Sequence, residues 1–379
     1  MKILIAIDSF KGSLSSGQLS EAISEGIINV MPDAEILKTP IADGGEGVVD
    51  ALVEKLNGSL IYKTVKGPLF QAIEAHYGIL PDKTAIIEMA LCSGLTLIPE
   101  THRNPLNTST YGVGELILDA LDKGSRDFVC GIGGSATNDA GIGMAAALGY
   151  TFYDENNQEL IPVGSSLNLI QRIDNTNVDP RLSECTFLIA CDVDNPLYGP
   201  RGAAYTYGPQ KGADEKTVQL LDEGLKHFSS IVKRDLHIDK ADLSGAGAAG
   251  GLGYGFSVLL NGELKPGIEI MLEKLEFEEK LDGVDLVITG EGKIDFQSVM
   301  GKTPMGVGLT SKKHNIPVIA IAGALGDNYH ALNDYGIDSI FSVLNKPCTL
   351  EEAMNPTNAY KNVKDTIQEI FKMIKIYKK

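Results

Sequence analysis

Five apolar, β-branched runs in this chain end at short loops that are rich in glycine and in acidic or hydroxyl side chains. The loops begin at Asp8, Asp43, Gly131, Asp192 and Gly290. Sheets of parallel strands bind ligands outside the carboxyl ends of those strands, so such loops can form a site. Glycine there lets backbone N–H groups approach phosphate, and carboxylates can hold Mg²⁺ or accept a proton. Five such junctions predict a binding site that is assembled from the whole chain.

The third loop has the highest density of groups that can bind phosphate. It continues through Gly133, Gly134, Ser135, Ala136, Thr137, Asn138 and Asp139. Its backbone N–H groups, its two hydroxyls and the start of the following helix would face one ligand, which favours a phosphate cradle. Helix capping by one polar residue is the alternative that needs no ligand, but it does not explain this density.

Two glycine patterns suggest other nucleotide-binding folds. Segment 131–136 has the spacing G-x-G-x-x-A, with a strand before it, a helix after it and Asp154 near the distance of a ribose contact. A nicotinamide-dependent oxidoreductase therefore stays open as an alternative. Segment 301–303 matches the end of a P-loop, but Phe296 stands where the first glycine belongs, so we reject that motif.

Charged side chains in the loops supply further candidates. Asp192, which directly follows four apolar residues, can bind Mg²⁺ or take a proton, whereas Asp194 fits an Asx-turn equally well. Lys11 is the only cation in the first loop and can pair with phosphate as a point charge. Arg201 lies between glycines and suits bidentate recognition of a carboxylate, although a solvated charge explains it equally well.

Alternating strands and helices must position these loops. Strand-like runs at 3–7 and 36–42 each lead into a helical pattern, at 16–30 and 46–56. The last third of the chain returns to the same alternation. Both chain ends are therefore predicted to form halves of one doubly wound α/β sheet.

The middle of the chain has a different texture, with hairpin-type strands and mixed helices. It predicts an inserted mixed α/β domain. We place the discontinuous domain, Rossmann-like or flavodoxin-like, at residues 1–66 plus 284–379, and the inserted domain at 67–283.

Composition excludes several classes of function. The net charge of −17 argues against a nucleic-acid partner, which needs a basic footprint. No apolar run approaches the ~18 residues of a spanning helix, and the first residues resemble a strand more than a signal peptide. The five cysteines show no CxxC spacing, which fits a reducing compartment, so we expect a cytoplasmic protein. None of the six histidines lies in a candidate loop, which argues against Ser-His-Asp hydrolysis.

Six blocks of the sequence resemble the type I glycerate kinases of bacteria. They are residues 8–13, 42–47, 133–139, 191–197, 245–251 and 289–295. Each block alone is unspecific, but the ordered set, with none missing up to about residue 325, is specific. The resemblance implies phosphorylation of D-glycerate to 2-phosphoglycerate with ATP and Mg²⁺. It also implies two domains with the site in the cleft between them.

The resemblance and the loop chemistry together give a hypothesis for the site. The residues expected to be catalytic are Asp192, Lys11 and Asp295. Those expected to bind the nucleotide are Gly133, Gly134, Ser135, Thr137, Asp139, Gly290 and Glu291. Those expected to bind the acid are Asp8, Ser9, Ser13, Asp43, Gly44, Gly45 and Arg201. Asp43 and Asp295 are the candidates for Mg²⁺, and Asp192 is expected to orient or deprotonate the hydroxyl that attacks phosphorus.

Other functions stay open on the sequence alone. A kinase of this kind could give 3-phosphoglycerate or act on another small hydroxy acid, and the oxidoreductase remains the rival enzyme class. A non-catalytic protein that binds a small acid is the third alternative. The many carboxylates argue against it, because a receptor for an anion has little use for them without a metal.

Overall fold

A computed structural model describes residues 1–39, 41, 49, 52–53, 56–299 and 301–377. The chain forms two compact units. Unit 1 comprises Met1–Gly44 and Gly267–Lys379, and unit 2 comprises Gly45–Pro266. Within the described ranges, no helix has both the length and the apolar character that crossing a membrane requires.

The described strands are β1 (Lys2–Ile5), β2 (Glu35–Lys38), β3 (Ser59–Lys66), β4 (Ala72–Ile79), β5 (Ala85–Glu88), β6 (Asp127–Gly131), β7 (Thr151–Tyr153), β8 (Arg172–Asp174), β9 (Thr186–Ala190), β10 (Glu263–Lys265), β11 (Leu286–Ile294), β12 (Val318–Leu325) and β13 (Ser339–Ser342). The described helices are α1 (Ser16–Ile28), α2 (Ala90–Ser93), α3 (Tyr111–Asp122), α4 (Ile142–Ala147), α5 (Ala203–Tyr207), α6 (Glu215–Asp235), α7 (Ala248–Leu259), α8 (Gly267–Lys274), α9 (Phe277–Lys280), α10 (Thr303–Lys313), α11 (Leu350–Met354) and α12 (Pro356–Tyr377). The predicted helix at 46–56 lies mostly outside the described residues.

Unit 1 is built on a parallel sheet with the strand order β13-β12-β11-β1-β2. Numbered within the unit, this is the 2-1-3-4-5 order of flavodoxin-like doubly wound sheets. The predicted sheet made from both chain ends is thereby confirmed. The strand order reverses between β1 and β11, and a ligand is expected in the crevice beside that point.

The sequence explains why these elements form. Ile3, Leu4 and Ile5 are fully buried, as expected for a parallel strand that is covered on both faces. A capping box between Ser15 and Gln18 begins α1 by satisfying backbone N–H groups in both directions. The last helix, α12, contributes Val363, Ile367 and Phe371 to the core shared with α1 and β1. The C-terminal tail therefore completes the core of unit 1.

Unit 2 is built on a mixed sheet with the order β10-β9-β6-β5-β4-β3. The pairs among β5, β6, β9 and β10 are parallel, while β3 and β4 form an antiparallel edge. The core includes Phe128 stacked on Phe187, with ring centroids 4.7 Å apart. The predicted mixed α/β character of the middle segment is confirmed.

The unit boundaries differ from those expected at 66/67 and 283/284. Strand β3 pairs with β4 along all eight of its residues and so belongs to unit 2. Helix α8 belongs to unit 1 because it packs on α10, where a Cβ on Gly306 would lie 2.5 Å from Ile268 Cγ1. Both corrections follow from pairings between distant segments, which local sequence patterns do not encode.

Candidate active site

The crevice beside β1 and β11 brings together most of the site residues expected in unit 1. The Asp8 N–H donates to the Gly290 carbonyl at 3.1 Å, which joins the two loop origins directly. A cavity of about 600 Å³ opens here. Its lining includes five of the residues expected in the site: Asp8, Ser9, Lys11, Ser13 and Glu291. This volume is typical of a small-molecule site.

The charges in this cavity are arranged in pairs. Lys302 Nζ lies 3.1 Å from Glu291 Oε2, and Ser298 donates to the other carboxylate oxygen of Glu291. Lys293 Nζ lies 2.9 Å from Asp295 Oδ2. The hydrogen bond from Lys293 lowers the pKa of the Asp295 carboxyl, which therefore stays ionised at neutral pH.

The segment after Thr289 differs from its sequence interpretation. It was expected to be a loop, but β11 continues to Ile294 and pairs with β12 up to Leu325. Gly290 allows this close pairing, since a Cβ there would lie 2.0 Å from the Ile321 carbonyl oxygen. Lys293 and Lys302 also line the cavity, and neither was among the residues expected to bind a ligand.

Oxygen donors for a metal are present but sparse. Glu291 lines the cavity, and Asp295 lies beside it through its ion pair with Lys293. Over the described ranges, no cluster of three or more acidic, His or Cys side chains could hold a metal ion. Asp43, Gly44 and Gly45 fall outside the described residues.

The second group of expected residues lies at the carboxyl edge of the sheet in unit 2. Gly131 of β6 pairs with Ala190 of β9, so the loops that follow these strands start side by side. Gly133 and Gly134 are exposed. No protein group in the described ranges accepts a hydrogen bond from the backbone N–H of Gly133, Gly134 or Ser135. These three amides can bind an anion.

The contacts of Asp139 differ from the nucleotide-binding role that was expected for it. It is fully buried, and its carboxylate accepts from the Thr110 N–H and hydroxyl and from the N–H groups of Gly141 and Gly143. The carboxylate thus occupies the start of α4 itself, so this short helix offers no N-terminus to a phosphate. Burial raises the pKa of Asp139 despite these bonds. We therefore assign Asp139 to the internal structure of the loop.

Lys211 contacts the predicted phosphate cradle, although no sequence pattern singled it out. Only 1% of it is exposed, and its Nζ donates to Ser135 Oγ at 2.7 Å and to the Thr137 carbonyl at 2.6 Å. Burial lowers the pKa of this lysine to about 7. The two acceptors match the two N–H donors that the amine keeps when it loses its proton. The only sequence signal was a lysine within a glycine-bounded loop.

The glycine-rich segment 245–251 supports the same loop by close packing. Ala249, Gly250 and Gly251 have left-handed backbone conformations at the start of α7. A Cβ on Gly250 would lie 2.0 Å from the Thr137 carbonyl oxygen. This segment needs glycine for packing.

Asp192 and Arg201 lie in the loop that follows β9. Asp192 is exposed, one residue beyond Cys191, whose N–H donates to the carbonyl of Lys265 in β10. Arg201 donates to Asp194 at 2.9 Å, and both side chains are exposed. The described contacts thus place Arg201 in an ion pair.

The dinucleotide interpretation finds no support at this edge. The helix after the glycines has only six residues, and the Asp139 carboxylate accepts from the N–H of Gly143 in its first turn. Asp154 accepts from the N–H groups of Asn156 and Gln158 within its own turn. The helix start and the acidic side chain that suggested a dinucleotide are therefore used within the protein.

Comparison with known proteins identifies the family. Residues 3–375 match the sequence profile of the glycerate kinase family. The chain belongs to this family. It is 49% identical to a glycerate kinase of Halalkalibacterium halodurans, over 93% of each chain. It is 48% identical to glycerate 2-kinase of Escherichia coli K12, over 96% of this chain and 95% of that protein.

A solved structure agrees with this assignment. A crystal structure described as glycerate kinase 2 from Salmonella typhimurium LT2 superposes with a TM-score of 0.87 at 44% identity. The superposition covers 100% of this chain and 99% of the chain from Salmonella typhimurium. Membership of the glycerate kinase family, inferred from six sequence blocks, is confirmed, and with it the expectation of a kinase.

Proposed function

We propose that this protein transfers the terminal phosphoryl group of ATP to D-glycerate and gives 2-phosphoglycerate. Similarity over nearly the full length to the glycerate 2-kinase of Escherichia coli carries this proposal. In the reaction, an oxygen–phosphorus bond forms to the glycerate 2-hydroxyl while the bond to the ADP leaving group breaks. The hydroxyl proton must pass to a base.

The residues of unit 1 suit a phosphorylated ligand. Lys11, Lys293 and Lys302 line the cavity beside the strand-order reversal and offset two lining carboxylates. The Ser13 hydroxyl is buried without a hydrogen-bond partner among the described residues, and a phosphate oxygen would satisfy it. We assign Lys11 to a phosphate oxygen, Asp8 to accepting from a ligand hydroxyl, and Ser9 to donating to a ligand carboxylate or hydroxyl.

Magnesium fits the donors of unit 1 as an ion that arrives with the nucleotide. Mg²⁺ commonly uses one or two carboxylates, with water and phosphate oxygens completing its octahedron. Glu291 and Asp295 would hold it, together with Asp43 from outside the described residues. Mg²⁺ would neutralise charge on the transferring phosphoryl group.

The residues of unit 2 suit the acceptor side of the reaction and an anionic oxygen. We assign the proton to the Asp192 carboxylate, because it is exposed at the carboxyl end of a central strand. The amides of Gly133, Gly134 and Ser135 would bind phosphate oxygens. Arg201 would bind the glycerate carboxylate after leaving its ion pair with Asp194, an exchange of one carboxylate for another.

A coupled assay of ADP release over a panel of small hydroxy acids tests the proposed activity. We expect D-glycerate to be the best substrate and phosphorus NMR to show the phosphate on the 2-hydroxyl. A phosphate on the 3-hydroxyl, or a better substrate elsewhere in the panel, would revise the product or the acid. Ligand-induced thermal stabilisation without ADP release would favour a binding protein instead.

The substitution Asp192→Asn tests the proton acceptor. We expect turnover to fall by more than tenfold, a loss above ~1.4 kcal/mol, since the amide cannot take the proton. Asp194→Asn, two residues along the same loop, is the matched control and should reduce turnover less. A tenfold or smaller loss in Asp192→Asn would show that Asp192 is not the base.

We further propose a cytoplasmic location. The five cysteines of the chain are free thiols, which agrees with a reducing compartment.

A further inference from the structure

One part of the cavity in unit 1, its apolar half, has no role in the reaction proposed above. Its lining continues from the lysines into the tail beyond β13, where Leu344, Leu350 and Met354 lie. These side chains are 38%, 76% and 36% exposed. One exposed leucine is ordinary, but three large apolar side chains on one cavity wall form a patch that a ligand can cover.

Helix α11 supplies most of this wall. Leu350, Ala353 and Met354 stand at positions i, i+3 and i+4, so they share one face of the helix. All three line the cavity, and no residue of this helix is buried. A capping box between Thr349 and Glu352 fixes where the helix starts. The sequence thus builds a short helix whose apolar face meets the cavity rather than the core.

Buried residues form the floor beneath this wall. Val343 is 2% exposed and Ala359 is 3% exposed, and both line the same cavity. The apolar half is therefore a pocket with a floor and a wall, continuous with the lysine-lined half. Asn362 adds an amide to the lining, and an amide can both donate and accept hydrogen bonds.

We propose that this apolar half binds the purine ring of the nucleotide, with the phosphates directed toward Lys11, Lys293 and Lys302. The inference rests on the proposed kinase reaction, in which the purine is the only reactant part with a flat apolar surface. Glycerate carries a carboxylate and two hydroxyls on three carbons, so it has too little apolar surface to cover such a wall. The cavity volume of about 600 Å³ suits a nucleotide.

The substitution Leu350→Asp tests the wall. Leu350 is mostly exposed, and an acid in the first turn favours a helix, so the variant should fold. We expect its Kd for ADP, measured by calorimetry, to rise at least tenfold, about 1.4 kcal/mol. Ile376→Asp is the matched control, since Ile376 is 69% exposed in the same unit and away from the cavity. The control should bind ADP like the wild type.

Alkylation of cysteine tests the same pocket without a substitution. Cys348 lines the cavity and is half-buried, while Cys185 is half-buried in unit 2. Saturating ADP should slow alkylation of Cys348 by roughly tenfold while leaving Cys185 unchanged, as mass spectrometry of digests would show.

The outcomes separate this inference from the proposed function. Unchanged ADP binding in Leu350→Asp, or an unprotected Cys348, would overturn the purine pocket even if the enzyme phosphorylates glycerate. Weakened ADP binding with Cys348 protection would support the pocket even if glycerate proved not to be the acceptor.

Discussion

Lys211 gives the sharpest prediction, because its burial makes stability depend on pH. In the folded chain burial lowers its pKa to about 7, whereas an unfolded lysine keeps the ordinary value of 10.5. Between these values the unfolded chain binds more protons, so the stability of the folded state rises with pH. The full difference between the two pKa values corresponds to roughly 5 kcal/mol of folding free energy. From about pH 7 to about pH 9 the folded state gains about 2 kcal/mol of this stability.

The assay measures urea unfolding of the wild type and of Lys211→Met at about pH 7 and about pH 9, with circular dichroism as the signal. The gain in free energy of unfolding should be about 2 kcal/mol larger in the wild type, because methionine cannot titrate. Lys226→Met removes an exposed lysine from the same unit and should keep the wild-type dependence. Equal gains in the wild type and Lys211→Met would refute the lowered pKa of Lys211.

The remaining predictions concern the loop and helix contacts around the site. Asp139→Asn should lower the free energy of unfolding by about 1–3 kcal/mol, because an amide cannot accept from all four donors; an unchanged urea midpoint would contradict this. Gly250→Ala should lower the thermal midpoint more than Gly199→Ala. Both have left-handed backbones, but only Gly250 would bring a Cβ within 2.0 Å of another atom, so equal losses would rule out the clash.

The sequence predicted the fold class well because its signals are local. Helix α1 begins at residue 16, as predicted, and ends at residue 28, two residues before the predicted end. Apolar periodicity and helix-stopping residues are properties of neighbouring positions. The domain boundaries were off because they depend on which strand β3 pairs with and which helix α8 packs on.

The candidate site was predictable only in part for the same reason. The strand-end positions of Asp8 and Asp192 follow from apolar runs that stop at an acid. The burial of Asp139 does not, since its carboxylate is satisfied by Thr110, which lies 29 residues earlier in the chain. Sequence spacing showed a polar residue at a helix start but not whether a ligand or the protein would use it.

Local sequence patterns were enough to predict the parallel sheet of unit 1, the loop that begins at Asp8 and membership of the glycerate kinase family. Packing between distant segments places Lys211 against the Gly133–Thr137 loop, 76 residues away from Ser135 in the chain. The same packing makes the tail beyond β13, which lies outside the six sequence blocks, an apolar wall of the cavity. Local propensity is encoded in adjacent residues, whereas burial, pKa and cavity shape arise from packing between distant ones.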